Sequence, residues 1–352
     1  MIRNLTIRAD ASTHIGTGHI MRCIALAQAW KDQGGNVTFL CHCDSAALRQ
    51  RIIDEDFGFT PIKKPHPDAN DLSFTLNVLS AMNHHSAATS PWLVLDGYHF
   101  TPDYQKAIRE HGYRLLVIDD MAHLNHYHAD ILLNQNIHAS SLLYSCDKDT
   151  VKLLGCEYVL LRRDFLKYRG GKRGISDKAK KILVTLGGSD PDNVTLKVIR
   201  ALNSLSDPDL EVNIVAGPSN PNINSLEKEL RLSPFTFHLS RSVRNMPELM
   251  AWADFAISAA GTTCWELAFM GLPFLTIVLA SNQTNISKSL SDEDVSFDLC
   301  WHSDLSSDKI ALCLSGIIHN SNFRRKYSVT AHRLVDGCGG RRVVDIIIGS
   351  ME

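Results

Sequence analysis

His19 closes the segment Ile15-Gly16-Thr17-Gly18-His19, directly after an apolar run and directly before a helical pattern. A Gly-x-Gly turn lets backbone come close to a ligand, because Gly16 and Gly18 carry no side chain and glycine tolerates positive φ. The helix that follows points N–H groups and a partial positive charge at the same place. An imidazole fixed there meets an anionic ligand with a group that can move a proton near neutral pH. Arg22 stands one turn further on, and Asp10, at the end of the first strand, could orient the imidazole or the loop. The plainer alternative is a tight βα turn with His19 bonded to backbone.

Two more turns could hold anions. Leu186-Gly187-Gly188-Ser189-Asp190 runs from a strand into a helix. Bare N–H groups at Gly188 and Ser189, a hydroxyl and a helix dipole would suit a diphosphate. The competing account makes Asp190 an N-cap. Ser258-Ala259-Ala260-Gly261-Thr262-Thr263-Cys264-Trp265-Glu266 repeats the pattern, with Glu266 a helical turn past the small residues. Its carboxylate could accept from both hydroxyls of a ribose, or be an ordinary solvated helix residue. Ser281-Asn282-Gln283-Thr284-Asn285 offers amides for sugar hydroxyls, or caps the next helix. In the first half, Asp96-Gly97-Tyr98 and Asp119-Asp120 end two apolar runs, as loop caps or as polar groups facing a cleft.

The elements that must position these residues alternate along the chain. Strand-like runs at Leu5–Ala9, Val37–Cys41, Trp92–Asp96, Leu115–Asp119 and Ile131–Asn134 are separated by helical patterns at His19–Gln33, Ser45–Glu55, Leu72–His85 and Pro102–Glu110. Gly34-Gly35 is the expected stop of the first helix. Tyr168-Arg169-Gly170-Gly171-Lys172-Arg173-Gly174 lacks an apolar period and reads as a linker. The alternation restarts with strands at Lys181–Leu186, Glu211–Ala216, Phe235–Leu239, Phe255–Ser258 and Phe274–Val278. Helices are expected at Asp192–Leu205, Asn222–Arg231, Arg244–Trp252 and Thr262–Met270.

This is the pattern of parallel sheets with crossover helices. We expect α/β architecture: two Rossmann-like domains facing a central cleft. The first spans residues 1–166, a linker 167–178, and the second 179–352. The tail from Asn322 reads as one or two helices able to fold back across the domains. Ligands of such sheets sit at the carboxyl ends of strands, where the glycine turns lie.

Composition narrows the class. The 352 residues are 44% hydrophobic and 21% charged, with a formal net charge of -2, which leaves no footprint for nucleic acid. No apolar stretch reaches the roughly 20 residues of a membrane span. The opening Ile2–Arg8 reads as a strand and not as a leader, so a cytoplasmic location is expected. Nine scattered cysteines without a C-x-x-C argue for free thiols. Cys41-His42-Cys43 reads as buried apolar residues at a strand end. The patch His123, His126, His128 has no second cluster in the sequence to complete a metal site, so no metal is expected.

Taken together, the motifs resemble the nucleotide-sugar hydrolases of pseudaminic acid biosynthesis, which act on UDP-2,4-diacetamido-2,4,6-trideoxy-β-L-altropyranose. The resemblance lies in Arg8-Ala9-Asp10-Ala11-Ser12 through Gly16-Thr17-Gly18-His19 to Arg22, in Leu95–Tyr98, Ile118–Asp120, Asp130–Asn134, Gly155–Tyr158 and Leu161–Phe165. It continues through Gly187–Asp190 and Ser258–Glu266 to Asp336–Gly339 with Arg342-Val343. It implies a GT-B fold similar to the lipid II-forming N-acetylglucosaminyltransferase, and hydrolysis of the UDP-sugar to UDP and 2,4-diacetamido-2,4,6-trideoxy-L-altrose. It further implies that His19 is catalytic, that Gly188-Ser189, Gly261-Thr262-Thr263 and Glu266 bind UDP, and that Arg162 lies near the nucleotide. Thr17 and Gly97 stand where other members can differ, and the resemblance leaves open Tyr98 and the insert around Asn77–Ser90.

Neither cofactor nor metal is implied; the expected partner is the UDP-sugar alone, without nucleic acid or membrane, and a monomer is the default. The alternatives are a glycosyltransferase on the same scaffold and a nucleotide-sugar sensor.

Overall fold

The computed structural model describes residues 4–12, 15–83, 91–205, 207–217, 220–233, 236–241 and 243–351. The end of the helix expected at Leu72–His85, residues 84–90 of the expected insert and the first residue of the strand expected from Phe235 lie outside them. The chain divides into two compact units: residues 1–163 with 338–352, and residues 164–337.

Unit 1 is built from β1 (Asn4–Ala9), α1 (Gly18–Asp32), β2 (Asn36–Cys41), α2 (Ala46–Asp54), β3 (Gly58–Pro61), α3 (Asp71–Asn83), β4 (Trp92–Asp96), α4 (Pro102–Glu110), β5 (Arg114–Ile118), β6 (Ile131–Asn134) and β7 (Val151–Leu154). Every strand pair is parallel, in the order β3-β2-β1-β4-β5-β6-β7. Residues 92–96 are buried throughout, as a central parallel strand covered on both faces must be. The direction of strand addition reverses between β1 and β4, which makes a switch point at their carboxyl ends. α1 begins at Gly18 after Gly16 at φ +80°. It ends as expected: Gly34, at φ +79°, donates to the Lys31 carbonyl, and Gly35 donates to that of Trp30.

Unit 2 takes up α5 (Arg163–Leu166) and then β8 (Lys181–Thr185), α6 (Val194–Ser204), β9 (Glu211–Ala216), α7 (Ile223–Leu230), β10 (Thr236–Arg241), α8 (Met246–Trp252), β11 (Phe255–Ala259), α9 (Thr263–Phe269), β12 (Phe274–Val278), α10 (Thr284–Asp292), β13 (Phe297–Trp301), α11 (Ser307–Ile318) and α12 (Ser321–Leu334). The sheet is again parallel, ordered β10-β9-β8-β11-β12-β13, with its switch point between β8 and β11. Two Rossmann-like α/β units are therefore the fold, as the alternation predicts.

The strands missing from the sequence reading are β3, β7 and β13. All three stand at sheet edges. β3 contains Gly58 and Pro61, and β7 is four residues with its first two exposed. Edge strands lack the two buried faces that make a strand legible.

The tail corrects the expected domain boundary. α13 (Gly339–Gly349) packs on unit 1, not on the second domain to which residues 179–352 were assigned. Val343, Val344 and Ile347 are fully buried in the unit 1 core. A side chain on Gly339 would lie 2.3 Å from the Val159 carbonyl oxygen, which explains a glycine at the helix start. α12 stays in unit 2, where Ser328 donates to the Gly271 carbonyl at 2.6 Å.

Candidate functional site

In unit 1 the polar residues converge at the carboxyl ends of β1, β4, β5 and β6. Gly18 is the first residue of α1 and His19 the second, so the imidazole is carried at the helix start, beside the switch point. Asp96 is the last residue of β4. His19 Nδ1 lies 2.6 Å from Asp96 Oδ1. One turn along α1, Arg22 grips the same carboxylate with two bonds of 2.7 Å, Nε to Oδ2 and Nη2 to Oδ1. Arg22 Nη1 donates to Asp120 Oδ1 at 2.8 Å. Asp120 also accepts from Tyr98 Oη at 2.6 Å and from Asn136 Nδ2 at 2.7 Å. The Tyr98 ring meets the His19 ring edge-on, with centroids 5.0 Å apart.

The electrostatics follow from burial and pairing. Burial pushes the Asp96 carboxyl upward, but the charge of Arg22 and the bonds from Arg22 and His19 outweigh it and hold the group well below the usual carboxylate range. Asp120 behaves likewise, with Arg22 and Tyr98 opposing burial. Arg22, fully enclosed, is raised because the charges of Asp120 and Asp96 overcome its desolvation. One guanidinium between two carboxylates leaves one negative charge beside the imidazole. Nδ1 faces a carboxylate that stays ionised, so in the neutral form of the ring the hydrogen sits on Nδ1 and the lone pair on Nε2.

Asp119 and His123 form a neighbouring pair, His123 Nδ1 3.1 Å from Asp119 Oδ1, with His123 Nε2 2.9 Å from the Tyr98 carbonyl. The Asp119 bond raises the His123 pKa against the opposing effect of burial. Asp119 itself is filled: it accepts from Met121 N, Ala122 N, Tyr127 Oη and Tyr144 Oη. It is a loop cap, one of the two roles its position at a strand end allowed.

Asp10 does not orient the imidazole; Asp96 does. Both Asp10 oxygens are taken by the buried Arg8 and by the His42 and His66 N–H groups, at 2.8 and 3.0 Å, so Asp10 ties three loops together. Arg162 is buried in unit 1, in the short stretch between the 3-10 turn Cys156–Tyr158 and α5. His19, Arg22 and Tyr98 are brought together; Asp96, Asp120 and Asn136, absent from the expected binding residues, complete the cluster. Their signal was position, since Asp96 ends β4 and Asp120 and Asn136 follow β5 and β6, three successive strands on one side of β1.

In unit 2 the Gly188-Ser189 turn follows β8, and Gly187 adopts φ +84°. A side chain on Gly217 would lie 2.2 Å from the Gly188 carbonyl oxygen, so the turns after β8 and β9 touch backbone to backbone. No backbone carbonyl among the described residues takes the N–H of Gly188 or Ser189, nor that of Thr262 or Thr263. Asp190 is not the N-cap it was read as, since α6 starts at Val194 and Asn193 holds that position; from three residues further back its carboxylate accepts from Val194 N at 2.8 Å and Thr195 N at 2.9 Å. Glu266 is half-buried in the first turn of α9, just past Gly261-Thr262-Thr263. Gln283 turns its carbonyl oxygen to Leu279 N at 2.9 Å and so caps its loop, while Asn285 is exposed at the start of α10. The unit 2 candidates lie at the ends of β8, β11 and β12, around that sheet's switch point.

Among the described residues no cysteine is in a disulfide, and no helix is long and apolar enough to cross a membrane.

Comparison with known proteins places this geometry in a family context. Residues 182–329 match the glycosyltransferase family 28 C-terminal domain. The chain is 27% identical over 291 residues to a Campylobacter jejuni protein named UDP-2,4-diacetamido-2,4,6-trideoxy-beta-L-altropyranose hydrolase, covering 81% of this chain and 94% of that one. It is 28% identical over 288 residues to an uncharacterised protein of Methanocaldococcus jannaschii, covering 79% of this chain. The chain spans only 56% of the length of that archaeal relative. Among solved structures, MurG of Acinetobacter baumannii superposes with a TM-score of 0.67 at 18% identity over 99% of both chains. The two-unit Rossmann-like fold is thus shared along the whole chain, and the resemblance read from the motifs recurs in a named relative.

Proposed function

We propose that this chain hydrolyses UDP-2,4-diacetamido-2,4,6-trideoxy-β-L-altropyranose to UDP and the free sugar. One observation carries the reading: an imidazole whose Nδ1 is held by a buried carboxylate at the switch point of its sheet, on a chain similar over most of its length to the Campylobacter hydrolase. The pairing leaves Nε2 as the proton acceptor.

In this scheme a water oxygen attacks C1 of the sugar. The bond from C1 to the phosphate oxygen breaks, and its electron pair departs with UDP. The water proton passes to His19 Nε2. Attack from the face opposite the diphosphate inverts the anomeric centre. Asp96 fixes the tautomer and stabilises the imidazolium as it forms. A positioned base of this kind contributes about 10²–10⁴-fold. The remainder comes from holding the sugar and from stabilising charge on the leaving diphosphate.

Nucleotide recognition is assigned to unit 2. The Gly188-Ser189 and Gly261-Thr262-Thr263 turns donate N–H and hydroxyl hydrogens to the diphosphate, and Glu266 accepts from the ribose hydroxyls. Asn285 and the Gln283 amide nitrogen remain as donors toward the sugar. The scheme uses no metal or organic cofactor. A nucleotide-sugar substrate and cysteines outside any disulfide both fit a cytoplasmic location.

The family 28 match supports a second reading, transfer of the sugar to an acceptor. Purified protein incubated with the UDP-sugar alone separates the two. Release of UDP and free sugar in equal amounts supports hydrolysis. Release that appears only when an acceptor is added overturns it in favour of transfer, and tight binding without release makes the chain a sensor.

A further inference from the structure

The fold completes a set of metal-ligand groups that the sequence leaves unfinished. His126 and His128 are two residues apart in an extended segment, so they project to one side while Tyr127 between them points into the core. Residues 145–147 run beside this segment: Tyr127 N donates to the Ser145 carbonyl at 2.8 Å, Asp147 N donates to that of Tyr127 at 3.3 Å, and Tyr127 pairs with Cys146 in a parallel bridge. That pairing brings Asp147 against both imidazoles. His126 Nε2 and His128 Nδ1 each lie 3.0 Å from Asp147 Oδ1. One atom from each residue fits within 4.8 Å of the others, and all three side chains are partly exposed.

We propose that His126, His128 and Asp147 bind one first-row divalent cation of the zinc type, with a water in the fourth position. Ligands at about 2.0–2.2 Å from a tetrahedral zinc are separated by roughly 3.3 Å, close to the 3.0 Å from each imidazole to Asp147 Oδ1. To bind the cation, the neutral imidazoles turn lone pairs to it from His126 Nε2 and His128 Nδ1, and each ring carries its hydrogen on the other nitrogen. The groups behind the ligands are already in place. Ser145 Oγ lies 2.8 Å from His126 Nδ1, which leaves Nε2 for the metal, and Arg109 Nη1 holds the other Asp147 oxygen at 2.6 Å, which leaves Oδ1. Charge favours a cation: three carboxylates (Asp130, Asp147, Asp149) face two guanidiniums (Arg109, Arg114) and leave one net negative charge. The site is remote in chemistry from the His19–Asp96 pair and does not depend on the hydrolase reading; its effect is to clamp residues 126–128 to 145–147.

The test is zinc titration of chelator-stripped, untagged protein against a competing chromophoric chelator. One equivalent is expected to bind. His126→Ala, His128→Ala and Asp147→Asn should each weaken binding at least about tenfold, and Ser145→Ala by about tenfold through loss of support to His126. Cobalt should give the intense absorption of four-coordinate ligation in wild type and lose it in Asp147→Asn. Circular dichroism checks that the variants fold. Should they not, zinc added to the wild-type protein is expected to shift the ring resonances of His126 and His128. Absence of uptake, affinity unchanged in all three ligand variants, or rings that do not respond would each overturn the site.

Discussion

His19 Nδ1 stands 2.6 Å from Asp96 Oδ1, and Arg22 closes on the same carboxylate from the next turn of the helix that carries His19. Helical spacing from i to i+3 puts the imidazole and the guanidinium on one face of α1, and a strand end supplies the anion between them. The arrangement resembles that of a base held in one tautomer by a carboxylate, with an arginine holding the carboxylate in turn.

Replacing His19 by Asn removes the proposed proton acceptor while leaving the proposed nucleotide site intact. Turnover of the UDP-sugar should fall at least about 10²-fold, with UDP affinity nearly unchanged. Steady-state kinetics and UDP calorimetry measure both; near-normal turnover would remove His19 from the scheme.

Asp96→Asn acts on both neighbours. Arg22 loses the charge it grips, and His19 loses the group that selects its tautomer. Breaking a buried pair by removing one partner costs about 3–5 kcal/mol, so chemical denaturation should show a loss of that order. Turnover should fall with it, even at temperatures where the variant remains folded. A variant as stable and as active as wild type contradicts the pairing.

Glu266→Ala should weaken UDP binding with little effect on protein stability. Charged hydrogen bonds contribute about 1.5–3 kcal/mol each, which corresponds to roughly 10–150-fold in dissociation constant per bond lost. An unchanged UDP affinity would strike Glu266 from the ribose role, with the turns after β8 and β11 left to account for binding.

The His123–Asp119 bond gives a pH dependence with a defined sign. Asp119 raises the His123 pKa above its ordinary value of 6.5. The stabilising contribution is therefore full below that value and lost as pH rises through the raised native one. A proton NMR titration should place the His123 midpoint above 6.5, and His123→Gln should remove this part of the alkaline loss of stability. A midpoint at or below 6.5 would contradict it.

Truncation after Gly337 removes α13. Val343, Val344 and Ile347 are each fully buried, and each such side chain contributes about 1.5–3 kcal/mol. Their sum is comparable to the 5–15 kcal/mol that holds a typical domain folded. Unit 1 should lose cooperative unfolding in the truncated chain; a melt identical to that of the full chain would contradict the packing.

Much of this was legible before any coordinates. The central strands of both sheets are apolar on two faces, and such runs declare themselves. The Gly34-Gly35 stop and the placement of His19 at a helix start follow from local backbone chemistry, which depends on near neighbours only. Edge strands β3, β7 and β13 were not legible, because a half-exposed strand of four or five residues has no strong pattern.

The sequence by itself determined the two Rossmann-like units, the turns that end their strands, and the reactive residue types stationed there. Only the tertiary structure decided partnership. Asp10 and Asp96 both close strands, yet Asp96 takes the imidazole because β4 adds beside β1 on the side where α1 begins, while Asp10 is drawn into Arg8 and the loops of His42 and His66. Asp147 reaches His126 and His128, and α13 reaches unit 1, by the same means. Long-range neighbours are set by strand order and by which core has room for an apolar face, and neither is written in spacing along the chain.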